Sequence, residues 1–131
     1  MGQQQLLLLV LSVIIVGIAI VVGLGMFAQQ NEKANVDMVV NELMGIAGFA
    51  QQYYYKPTSM GGGGMKFTGL TLDELTGGKS SPNGTTFTLL VNDSSKVTVT
   101  GLCGTAKKKT GLPVDVVCTV TAQNIQTKVN Y

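Results

Sequence analysis

Apolar residues run without interruption at the start of the chain and alternate with polar ones towards its end. From Leu6 to Ala28 there are 23 residues with one hydroxyl, Ser12, and no charge; the first charged side chain is Glu32. At about 1.5 Å per residue a helix of this length crosses a hydrocarbon layer ~30 Å thick. The stretch that follows, "NEKANVDMVVNELMGIAGFAQQYYYK", contains no proline and places Val36, Val39, Val40, Leu43, Ile46, Ala47, Ala50 and Tyr53 in one helical stripe. Asp37, Asn41, Glu42, Gln51 and Gln52 lie largely away from it. The pattern predicts one unbroken helix from near residue 3 to near Tyr55, about 80 Å long, apolar all round over 1–28 and amphipathic over 29–55. Pro57 disfavours helical geometry at Lys56 and ends the run.

After a glycine-rich connection over 56–84, with a short helical turn at "TLDEL", the period falls to two. "TTFTLLV", "KVTVTGLC", "PVDVVCTVTA" and "IQTKVNY" are rich in β-branched and aromatic residues, and "NDSSK" and "KKKTG" supply turns. Four antiparallel strands are expected over 85–131. Setting Val91 opposite Val97 places Leu89 on Val99 and Phe87 on Gly101, which makes one face apolar and turns Thr98 and Thr100 to the other. The expected class is α+β, a long N-terminal helix packed on a small four-stranded sheet.

Centring the second hairpin on Thr110 and Gly111 puts Cys103 opposite Cys118, with Val120 and Ala122 on the face of Val97 and Val99. Directly opposed residues bring their Cβ atoms to roughly 4.5–5.5 Å, so this register predicts a Cys103–Cys118 disulfide in an oxidising compartment. The alternatives are two buried thiols and a metal site, the latter with neither histidine nor a further cysteine to complete it.

Composition narrows the chemistry. The 131 residues carry nine lysines, no arginine and seven acids, a net charge of +2, and contain neither histidine nor tryptophan. Without arginine the chain lacks the bidentate phosphate ligand of nucleic-acid specialists, and no specific nucleic acid is expected as a partner. Without histidine it lacks the commonest general base and metal ligand, so neither an enzyme nor a cofactor is expected. "GGGGMK" is not a phosphate loop, because Phe67 stands where Ser or Thr is required; Gly61–Gly64 read instead as a close-packed or flexible connection. Lys107–Lys109 read as a solvated run at a hairpin tip, and "NGT" at Asn83 and "NDS" at Asn92 as turns that also match a glycosylation acceptor. A cleaved signal peptide would need basic residues before a shorter apolar region of about 7–15 residues, and neither is present.

A helix apolar in its first half and amphipathic in its second, followed by a small β-rich head, resembles the type IV pilins and pseudopilins. "MGQQQLLLL" and "QQYYYKPTSMGGGGMKFTG" are also similar to a group of small, leaderless, pilin-like bacterial sequences. The family's basic leader is missing, and its fifth-position glutamate falls on Gln5 when Met1, or its simple removal, defines the N-terminus. The resemblance implies a subunit held in the inner membrane before assembly, then added by an assembly machinery to a homopolymeric extracellular filament of identical subunits. Two rivals stand beside it: a minor pseudopilin of a secretion or uptake machine, and a monomeric single-span protein displaying a β-domain.

The same resemblance points to assembly residues. Gln5 would offer its carbonyl to a neighbour's terminal amine, and Gln3 and Gln4 either bond across subunits or cap the helix at the headgroup level. Leu6, Leu9 and Val13 would pack against other copies. Gly17, Gly23 and Gly25 each cost roughly 1 kcal/mol against alanine in a helix interior, which calls for close helix approach or, at the Gly23/Gly25 pair, a flexible point; the frequency of glycine in membrane helices accounts for Gly17 equally well.

Overall fold

The computed structural model describes residues 2–77, 81, 84–108 and 110–131. Met1, Lys109 and Asn83, each of which carries an expectation above, lie outside the described residues. Helix α1 spans Gly2–Tyr55, a short helix α2 spans Leu72–Thr76, and strands β1 (Thr86–Asp93), β2 (Lys96–Lys107), β3 (Pro113–Thr121) and β4 (Ile125–Asn130) follow. The chain divides into two compact units, Met1–Lys33 and Ala34–Tyr131. The first is helix alone, with every described residue exposed. The second contains every buried side chain among the described residues.

In that second unit the four strands form one antiparallel meander in the order β1-β2-β3-β4. The β1–β2 register is the expected one, with Val91 opposite Val97, Leu89 opposite Val99 and Phe87 opposite Gly101. Strict alternation along β2 and β3 buries Val97, Val99, Cys103, Val114, Val116, Cys118 and Val120 on one face. Against this face lie Val36, Val39, Leu43, Ile46, Ala47 and Ala50 of α1, the stripe read from the sequence. Gly101 makes the close approach possible: a Cβ there would stand 3.0 Å from Val39 Cγ1 and 3.3 Å from Leu43 Cδ1.

The connection between helix and sheet belongs to the core. Phe67, Leu70 and Leu75 are buried with the sheet residues, and the Phe67 ring lies 4.8 Å from that of Tyr54. Phe67 is fixed from the far side as well, its N–H donating to Ser94 O in the β1–β2 turn at 2.8 Å. Gly61–Gly64 fold back over the end of α1. Gly63 N–H donates to Tyr53 O at 2.9 Å, Gly64 N–H to Lys56 O at 3.0 Å and Met65 N–H to Tyr54 O at 2.8 Å. Carbonyls that a helix end leaves without intrahelical partners are thus satisfied by the loop.

The β2–β3 register differs from the expected one. Cys103 pairs with Val114, and Cys118 pairs with Val99. The turn is shifted by one step, Lys107 facing Pro113 where the expected register puts Val114, and the ladder is irregular between Cys103 and Lys107. The three extra residues there, Gly104–Ala106, displace all pairs beyond them by three further steps, four in total. The two cysteines therefore sit four register positions apart, about 13 Å along the strands, and both are free and buried. The disulfide expectation is wrong for this reason. The displacement is even, so both cysteines keep the buried face.

Candidate assembly surface

The apolar segment is presented whole. Each large apolar side chain between Leu6 and Phe27, including Leu6, Leu9 and Val13, is 45–72% exposed. The segment is long and apolar enough to cross a membrane. Gln3, Gln4 and Gln5 are exposed at its start. Ser12 spends its hydroxyl locally, donating to Leu9 O at 2.7 Å, so the one polar side chain in the run carries its own partner. Around Gly17, Gly23 and Gly25 nothing lies within 4 Å of a would-be Cβ. Each of these three residues weakens a helix, and α1 nevertheless passes through all three positions unbroken.

A second feature escaped the sequence reading. Where α1 ends, the returning loop and α2 enclose a hollow of about 280 Å³. Leu70 and Leu75, both buried, form its floor; Phe49 makes one wall; Gln52, Lys56 and Glu74 stand at the rim. Phe49 is 55% exposed, although it lies in the half of α1 that buries an apolar stripe elsewhere. Its phase was the available signal, an aromatic residue outside the stripe. Glu74 also holds α2 in place, one carboxylate oxygen accepting from Thr71 N–H at 3.3 Å. This is half of a capping box, which starts so short a helix.

Other residues singled out by their sequence have structural partners. Tyr53 O–H donates to Thr68 O at 3.3 Å and Tyr55 O–H to Ala122 O at 2.9 Å, so the tyrosine run ties the helix end to the connection and the sheet. Asn92 Nδ2 donates to Thr98 Oγ1 at 2.7 Å across the first hairpin. Lys108, partly exposed, pairs with Asp115, which also accepts from Asn130 Nδ2 at 2.7 Å. The Lys108 hydrogen bond, reinforced by that from Asn130, holds the Asp115 carboxyl below its ordinary range. Burial pushes the Cys118 thiol up, only partly opposed by the hydrogen bond from Thr127. Among the described residues no three of His, Cys, Asp and Glu come together as metal ligands would.

Two surface features stand out among the described residues: the exposed, charge-free start of α1, and the hollow at its end. No protein-family model, curated protein or solved structure matches the chain.

Proposed function

We propose that this protein is a structural subunit of the type IV pilin kind, polymerising through its apolar N-terminal helix into an extracellular filament. The observation that carries the reading is the exposure of every large apolar side chain from Leu6 to Phe27 in a helix that continues into the head. At roughly 1.5–3 kcal/mol for each large apolar side chain, leaving that run in water would cost tens of kcal/mol. Lipid or further copies of the chain must cover it. Lipid alone satisfies the side chains but gives the three contact-free glycines nothing to approach, whereas a bundle of staggered helices uses them. The subunit would wait in the inner membrane and pass, through an assembly machinery, to a neighbour whose terminal amine meets Gln5. Loosening at Gly23 and Gly25 would accompany that transfer.

The fitness of the same segment to cross a membrane favours a second reading, a single-span protein that displays its head as a monomer. Gln5→Leu separates the two, because it keeps the helix insertable while removing the proposed partner of the amine. Negative-stain imaging of sheared surface material, with mass spectrometry of its main band, should show wild-type filaments and a reduced yield for Gln5→Leu at an unchanged membrane pool. Normal filaments from Gln5→Leu would reduce Gln5 to a cap. Wild-type protein confined to membranes would give the case to the single-span reading.

A further inference from the structure

We propose, resting on the polymer reading above, that the hollow at the end of α1 is a socket for a second copy of this chain, filled by the Val22–Lys33 face of that copy's α1. The socket has an apolar floor in Leu70 and Leu75 and opposite charges at its rim in Lys56 and Glu74. Both rim charges are exposed, and neither joins an ion pair among the described residues. Such a site fits a helix that brings an apolar side chain flanked by one acid and one base.

The chain carries this combination where its apolar run ends. At about 100° per residue, Val22, Met26, Gln29 and Lys33 fall on one side of α1, and Glu32 falls on the other flank of the line through Gln29. Val22 and Met26 are half or more exposed, and Glu32 and Lys33 are the first charges of the helix, exposed and unpaired among the described residues. Met26 is unbranched and has a polarizable sulfur, which suits an irregular hollow. Gly25, beside it, has no side chain to hold the backbone off. With Met26 over Leu70 and Leu75, Glu32 meets Lys56 and Lys33 meets Glu74. A helix that brought its acid to Glu74 and its base to Lys56 would set like charges together, so the rim favours the first pairing.

The contact sets a stagger. Gln29 of one copy against Gln52 of the next offsets the two helices by 23 residues of α1, about 35 Å at 1.5 Å per residue. Socket and inserted face are different surfaces, so each copy that fills a socket presents another. Heterologous contacts of this kind generate open filaments when the rotation between copies does not close.

The test uses the full chain. Glu32→Lys and Lys56→Glu should each lower the yield of sheared filaments by roughly tenfold, and the double variant should restore it, because the reversed pair attracts again. In parallel, Gln29→Cys and Gln52→Cys are placed on separately tagged copies, co-expressed and oxidised in membranes and in sheared material. A mixed-tag dimer is expected, and the wild type should give none because Cys103 and Cys118 are buried. Filaments unaffected by either reversal, with no mixed-tag dimer, would overturn the socket and leave the polymer standing. Absence of both filaments and mixed-tag dimers from the wild-type background and its cysteine variants would overturn both.

Discussion

Gly63→Ala puts the most direct strain on the returning loop. A Cβ built at Gly63 would stand 1.8 Å from Lys66 O and 2.8 Å from Tyr53 Cε1, the first of these more than an ångström closer than real Cβ contacts. Neither atom can yield at little cost. Lys66 O is backbone one residue before the buried Phe67, and Tyr53 is held by its hydroxyl to Thr68 O. The loop itself must lift. Lifting removes the N–H groups of Gly63, Gly64 and Met65 from the carbonyls of Tyr53, Lys56 and Tyr54, and each such bond is worth about 1 kcal/mol net. The expected loss is therefore about 2–3 kcal/mol, or roughly 10–20 °C in melting temperature for a unit of this size. Gly61→Ala is the control. Gly61 adopts φ +76° with open space around it, so alanine there meets only backbone strain of about 1 kcal/mol. Urea unfolding of the fragment Ala34–Tyr131, followed by circular dichroism, measures both. If Gly63→Ala costs no more than Gly61→Ala, the loop does not clamp the helix end.

Two further outcomes follow from the sheet. With both cysteines free and buried, dithiothreitol should leave the melting curve of the native protein unchanged, and a thiol reagent should titrate two groups after denaturation and none before; a reductant-sensitive transition would revive the bridge. Because Asp115 titrates below its ordinary value near 3.8 in the folded state, its contribution is fully present above that value and is lost as the pH falls through the lower, folded value. Asp115→Asn should cost about 1 kcal/mol at pH 7, since the pair is only partly shielded from water, and should flatten the decline of stability below pH ~4. An unchanged acid limb in urea titrations would show that the Lys108–Asp115 pair contributes nothing.

Local pattern determined much of this protein. The spacing of Val36, Val39, Leu43, Ile46, Ala47 and Ala50 identified the buried side of α1, Pro57 marked its end, and the hydrophobic alternation with "NDSSK" was enough to fix the β1–β2 register. These features depend on neighbours close in sequence, where helical or two-residue periodicity leaves one solution. Tertiary structure decided the rest. A strand's side-chain period is two, so β2 and β3 show the same faces whether Cys103 opposes Cys118 or lies four positions away. What chose between them is a one-step shift of the turn together with the irregularity at Gly104–Ala106, neither of which alternation encodes. The hollow at Phe49, Leu70 and Leu75 was hidden for a related reason: its walls come from a helix and from a connection with no period of its own. Only the return of Gly61–Gly64 over the last turn of α1 brings them together.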